Sequence, residues 1–171
     1  MKRKILKLFF VFIFCITLTG CGLFEDVDYD DGNSSVAEIT IGETAEYNKI
    51  SWKVNECRND TSIPTTLGGN ITTNNNFVRV ELIVFNGGET EYSPKLSMVK
   101  LRLKEPQALY EPKDYVYAHN RMGTKNVGAQ MSVNYQIIFE TPYKTSEKDF
   151  ELLIYVDSKP ARIIHIGLQN N

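Results

Sequence analysis

Few side chains in this 171-residue chain have the chemistry of a catalyst, and their positions keep them apart. There are two histidines and three cysteines. His165 falls within the apolar run Ala161–Leu168, where a structural histidine in a strand is expected. Cys57 ends an alternating run, two residues after Asn55, and that placement predicts a half-buried structural thiol. Cys21 stands differently. It closes Leu18-Thr19-Gly20-Cys21, just after the apolar run Leu8–Ile16, which itself follows the basic head Lys2, Arg3, Lys4 and Lys7. A basic head, a short apolar core and a small-residue exit describe a secretory signal. A helix that crosses a membrane needs roughly twenty apolar residues, and this run falls well short.

Nothing else signals catalysis. The chain has no HExxH, CxxC, nucleophile elbow or phosphate-binding glycine loop, and no strand carries paired carboxylates. Asp26, Asp28 and Asp30 alternate like the opening of a calcium loop. That loop needs glycine at its sixth position and glutamate at its twelfth, where this chain has Asp31 and Ala37. The expectation is therefore a protein that is not an enzyme, with no catalytic residues, no metal and no cofactor.

Leu18, Thr19, Gly20 and Cys21 resemble the lipobox of bacterial lipoproteins. The resemblance implies that the Cys21 thiol receives a diacylglycerol and that the peptide is cut just before it. Residues 1–20 are then a lipoprotein signal peptide, Cys21 is the lipidated first residue, and the mature protein is anchored in the cell membrane on its extracytoplasmic side.

Charge supports that order. Glu25, Asp26, Asp28, Asp30 and Asp31, followed by Gly32-Asn33-Ser34-Ser35, have almost nothing to bury and read as a solvated tether. Residues 21–36 would hold the following domain ~20 Å off the anchor by random-coil scaling. The chain has 19 Lys+Arg and 21 Asp+Glu, and four of the basic residues leave with the signal, so the mature balance is 15 against 21, or −6. With no basic stripe to displace counterions, nucleic acid is not an expected partner. Loss of Cys15 with the signal and acylation of Cys21 leave Cys57 alone, so no disulfide can form within the mature chain. Stability must come from the core of residues 37–171, which are enough for one domain.

Those residues show period two between turn signals. Ile50–Val54 alternates. Phe77–Phe85 places Val78, Val80, Leu82 and Val84 on one face. Leu96–Leu103, Ser132–Glu140, Phe150–Val156 and Ala161–Leu168 continue the pattern. No helical periodicity appears beyond the signal. The expectation is an all-β fold, an immunoglobulin-like antiparallel β-sandwich of seven to nine strands, with Trp52, Val80, Leu82, Val84, Leu101, Ile137, Phe139, Leu152 and Ile154 inside. Two long polar connections stand out, Arg58–Asn76 and Gln107–Met131, and both are read as loops, with a small hairpin at Leu67-Gly68-Gly69-Asn70 inside the first. The second carries Tyr110, Tyr115, Tyr117, His119 and Arg121. Tyrosine and arginine are common anchors of binding surfaces, so Tyr115, Tyr117 and Arg121 are the candidate binding residues.

From about Ile41 to Leu168 the order of features resembles the telokin-like, immunoglobulin-type domain of bacterial secreted lipoproteins, a family of unknown function related to a mycobacterial immunogenic antigen. The resemblance rests on Gly42 with Ile50–Val54, on Phe77–Asn86 ending in asparagine, on Leu101–Tyr110 closing on a tyrosine, and on Phe139-Glu-Thr-Pro142 with Phe150–Ile154. Glu105-Pro106-Gln107-Ala108 replaces the family's usual turn. The resemblance implies a sandwich and no mechanism. The functional expectation is a membrane-anchored envelope lipoprotein whose domain binds a protein, peptide or glycan without catalysis. The alternative is an envelope enzyme or small-ligand carrier with a site assembled from loops.

Overall fold

The structure, a computed structural model, describes residues 35–115, 120–158 and 161–168, all of them within one compact unit, residues 31–171. The expected signal, Cys21 and the acidic stretch lie outside the described residues, as do Tyr117 and His119.

Nine strands form. They are β1 (Ser35–Thr40), β2 (Ala45–Tyr47), β3 (Ile50–Pro64), β4 (Asn70–Asn86), β5 (Val99–Leu103), β6 (Ala108–Tyr110), β7 (Met131–Thr141), β8 (Phe150–Ser158) and β9 (Ala161–Gly167). One sheet has the order β1-β9-β8-β5-β6 and the other β2-β3-β4-β7. The fold is the expected β-sandwich. All pairings are antiparallel except β1 with β9, which is parallel. β1 opens at Ser35, two residues ahead of the start read from composition.

The inward faces follow the period-two pattern. All nine residues expected inside are buried, Trp52 among them at 1 % exposure. β4 shows why. Val78, Val80, Leu82 and Val84 alternate with Arg79, Glu81 and Ile83 along a pleat whose side chains point to opposite faces, and only the valine–leucine face is fully buried. In β3 a bulge between Val54 and Glu56 resets the alternation. Val54 lies opposite Leu82 and Cys57 opposite Val80, so the extra residue turns the Cys57 side chain to the inner face. Cys57 is half-buried against the core, as expected, and burial, with Glu56 nearby, outweighs a hydrogen bond to Thr145 and pushes its thiol up to about 12.

The stretch Arg58–Asn76 is not a loop. β3 and β4 run through it as one long hairpin, pairing Arg58 with Arg79, Asn59 with Val78, Asp60 with Phe77, Ser62 with Thr72, Ile63 with Ile71 and Pro64 with Asn70. Thr and Ile suit a pleated surface, and Ile63 with Ile71 makes an apolar cross-strand pair of the kind that stabilises a ladder. The turn closes through Thr65, whose N–H donates to the Gly69 carbonyl at 3.1 Å and whose carbonyl accepts from the Gly68 N–H at 3.2 Å. Gly68 and Gly69 have φ of 80° and 88°, a conformation that side chains disfavour.

Candidate functional site

The hairpin end forms an arm. β7 stops at Thr141, opposite Asn76, so the paired residues Ser62–Pro64 and Asn70–Thr72 have no β7 beside them. At the root of the arm the register jumps. β4 supplies Thr73–Asn76 where β3 supplies only Thr61, and a bulge of this kind bends the strands. The bend is held by a second, small hydrophobic cluster: Ile63, Phe77 and Ile138 are buried, with Ile71 and Tyr115 packed against them. At the tip, Leu67 is 73 % exposed. The Thr73 hydroxyl donates to Glu140, and Glu140, also bonded by Asn75 and paired with Lys113, is held below the usual carboxylate range.

Tyr115 lies beneath this arm. Its ring meets Phe77 edge-on, with centroids 5.8 Å apart and planes at 82°, the geometry that aromatic quadrupoles favour. Burial, helped by the Glu140 charge, raises its hydroxyl above the ordinary value of 10. Arg121 pairs with Asp114 of the same segment, and its Nε is buried without a partner among the described residues. The described residues on either side of 116–119 each bond to the outer edge of β7: the Lys113 N–H donates to the Ile138 carbonyl at 2.7 Å, and the Gln136 N–H donates to the Asn120 carbonyl at 2.8 Å. These bonds occupy the middle of the β7 edge, where an uncovered strand would be free to pair with another chain. Tyr115 and Arg121 are thus each engaged with their own chain, Tyr115 against Phe77 and Arg121 with Asp114. Tyr117 lies outside the described residues.

At the other end of the β3–β4 pair, around Ile50 and Asn86, a half-open cavity of about 260 Å³ is present. Tyr47, Ile50, Trp52 and Tyr92 wall it, with Asn48 and Glu91 at the rim. A two-residue turn builds one side. Asn48 and Lys49 have φ of 51° and 66°, as a type I′ hairpin requires. Gly87 closes against it, its N–H donating 2.8 Å to the Lys49 carbonyl. A Cβ at Gly87 would meet that oxygen at 3.1 Å. Asn86 shapes the opposite side: buried at 1 % exposure, it donates to the carbonyls of Thr90 (2.7 Å) and Val127 (3.0 Å) and accepts from the Gly88 N–H (2.9 Å). Tyr92 stands edge-on to Trp52 at 5.9 Å, and burial pushes its hydroxyl up to about 12.

A third polar group sits on the five-stranded sheet. Arg102 of β5 donates to Glu151 Oε2 of β8 from Nε at 2.9 Å and Nη2 at 2.5 Å, and His165 Nδ1 of β9 lies 3.4 Å from the same oxygen. Burial pushes the Glu151 carboxyl up, but the hydrogen bonds from His165 and Arg102 and the Arg102 charge outweigh it and hold the group at about 2. His165 is thus the structural strand histidine expected, at 3 % exposure. Among the described residues, no group of three or more His, Cys, Asp or Glu is placed to hold a metal ion, and no helix is long and apolar enough to cross a membrane.

Sequence reasoning missed the cavity because Trp52 reads as core and Tyr47 and Tyr92 lie 45 positions apart. The signal present was local: Asn48-Lys49 between two alternating runs marks the turn.

No family model matches the chain, and no curated protein sequence matches it either. Solved structures do. An uncharacterized β-sandwich protein from Clostridium difficile 630 superposes with a TM-score of 0.57 at 13 % identity, covering 78 % of this chain and 94 % of its own. The yjhA protein from Bacillus subtilis gives 0.56 at 18 % identity, covering 76 % and 98 %. A Bacillus subtilis protein described as a putative lipoprotein gives 0.53 at 15 % identity, covering 75 % of this chain but 39 % of that one. At these identities the likeness is one of fold, and the fold it shows is the β-sandwich.

Proposed function

We propose that this protein is a lipid-anchored lipoprotein of the cell envelope whose sandwich is a non-catalytic binding module, with the β3–β4 arm as its contact surface. The observation that carries the reading is Leu67, a large apolar side chain 73 % exposed at the tip of a paired, bent hairpin. A separate cluster of Ile63, Phe77, Ile138, Ile71 and Tyr115 holds the root of that hairpin. Recognition commonly sits on segments held out by a rigid scaffold, and an apolar tip suits a protein or peptide partner. Tyr115 then supports the arm, where the sequence had suggested a direct anchor.

The anchor is read from Leu18-Thr19-Gly20-Cys21 after its basic head and apolar run, with residues 1–20 as signal and the acidic residues from Cys21 to the first strand as tether. A sandwich of similar fold in a Bacillus subtilis protein described as a putative lipoprotein is in keeping with it. Kinship with the telokin-like domains of secreted lipoproteins, and through them with the mycobacterial antigen, belongs to the same proposal and rests on the order of features from Ile41 to Leu168.

The test compares wild type, Cys21→Ala and Leu67→Asp. Cys21→Ala should leave the membrane fraction or remain unprocessed. Leu67→Asp should stay anchored, unfold at the same denaturant concentration and lose its envelope partner. Unchanged partitioning and mass for Cys21→Ala would refute the anchor. Full partner retention by Leu67→Asp, or turnover of an envelope substrate, would refute the module.

A further inference from the structure

In the arm, β4 runs past the end of its neighbour. β7 pairs with β4 from Asn86 to Asn76 and stops there, so residues 70–75 have no described strand on that side. The phase of the β3–β4 ladder says which groups this leaves open. The Thr65 N–H donates to the Gly69 carbonyl, so these two residues face each other. Backbone direction alternates along an antiparallel pair. Ile63 and Ile71 therefore face each other too, while Asn70 and Thr72 turn their N–H and C=O groups to the outer edge of β4. The same alternation turns Pro64, opposite Asn70, to the outer edge of β3. Its missing N–H closes that edge to a further strand.

The β4 edge has no such protection. Edge strands are commonly blunted with charge or proline. Charged residues make up 23 % of the chain, yet residues 61–76 contain none and their one proline is on β3. The middle of the β7 edge, by contrast, is bonded by Lys113 and Asn120.

We propose that this β4 edge pairs with the same edge of a second copy of the chain, antiparallel about a two-fold axis at Ile71. Two arms then join into one four-stranded sheet. In that register Asn70 lies opposite Thr72 of the second copy, and Thr72 opposite its Asn70. These are the outward-turned residues, so each pair exchanges both main-chain hydrogen bonds. Ile71 meets its own counterpart across the axis as the non-hydrogen-bonded pair, where side chains come closest. The row Ile63–Ile71–Ile71–Ile63 crosses all four strands on the face of the Phe77–Ile138 cluster, and apolar cross-strand pairs stabilise a ladder. One register thus satisfies the hydrogen-bond phase and the apolar row together, with no like charges opposed. A strand of unrelated sequence has no reason to match both, and the self-pairing is the isologous kind that closes at a dimer. The contact goes beyond the Leu67 reading, since it leaves Leu67 at the outer end of each arm. Anchoring of both copies to one membrane, as proposed above, raises their effective concentration, which suits so short an interface.

The test traps the axis. Full-length Ile71→Cys and Leu67→Cys are oxidised with copper–phenanthroline in isolated membranes, and wild type sets the background from its own cysteines. A non-hydrogen-bonded pair holds its Cα atoms ~4.5 Å apart, within the range that a disulfide spans. Ile71→Cys should give a disulfide dimer within minutes. Leu67→Cys, though more exposed, should react at least fivefold more slowly. Thr72→Pro removes an N–H only from the open edge; added to Ile71→Cys it should cut the dimer at least fivefold. Sedimentation of the full-length protein in detergent keeps the test independent of the new thiol. Wild type should reach the mass of two copies with a Kd of about 10–100 μM, as suits a small contact. Thr72→Pro should stay at one copy with an unchanged denaturant midpoint. Wild type still at one copy at 1 mM, equal trapping of Leu67→Cys and Ile71→Cys, or a Thr72→Pro dimer as strong as wild type would each overturn the proposal. None of these readouts involves the partner of Leu67, so their failure is distinct from failure of that reading.

Discussion

Tyr115 stands edge-on against Phe77, ring centroids 5.8 Å apart, and through that contact an irregular segment braces a β-hairpin. Phe77 is fully buried and pairs with Asp60 at the root of the arm, just before the register jump. Tyr115→Ala removes the brace while leaving the main core intact. Partial burial puts the expected cost at about 1–2 kcal/mol, below the ~3–5 kcal/mol of a fully buried aromatic. The loss should be local: amides of residues 62–72 exchange faster, proteases cut at the 65–69 turn, and Trp52 emission stays as in wild type. Uniformly faster exchange throughout both sheets would show instead that Tyr115 belongs to the global core.

Glu151 makes stability depend on acid. In the folded chain its carboxyl titrates at about 2, against an ordinary value of 4.5. The unfolded chain therefore binds the proton more tightly, and the contribution is present above about pH 4.5 and lost as pH falls toward 2. Glu151→Gln should lower the denaturant midpoint at pH 7, since the buried Arg102–His165 side of the sheet loses its anion. The gap between mutant and wild type should shrink at pH 4 and shrink further at pH 3. A gap independent of pH would show that the ion pair contributes nothing through its charge.

Cys57 should behave as an inert thiol. Its side chain faces the core, with its thiol pushed up to about 12, and only thiolate reacts. Iodoacetamide at pH 8 should leave the native protein unmodified for hours and alkylate it within minutes in denaturant. Fast modification of the native protein would mean that the β3 bulge opens readily.

Much of this fold was legible in the sequence, for a definite reason. Val78–Val84, Ile137–Phe139 and Leu152–Ile154 bury one or both faces of their strands, and burial writes its period into residue type. The arm was not legible because its strands carry Thr, Asn and Ser on both faces, with no apolar contrast to mark alternation; Ile63 and Ile71 were its sole apolar pair. The parallel pairing of β1 with β9 joins segments at opposite ends of the chain, through partners such as Ile39 and Ile166, and no local pattern encodes that. Tyr115 was noticed for its type, but its role depends on Phe77, 38 positions earlier. The Arg102–Glu151–His165 group draws one residue from each of three strands, so spacing carried no trace of it.

The central claim is that a membrane-tethered sandwich presents Leu67 to a partner. The most direct measurement places a photo-crosslinking amino acid at position 67 of the full-length protein, and in a second strain at exposed Lys104, in the turn just after β5. Intact cells are irradiated and their membranes separated. The account predicts a discrete adduct of one size from position 67, recovered in the membrane fraction, and none from position 104. Equal or absent crosslinking at the two positions, or an adduct found only in the soluble fraction, would contradict it.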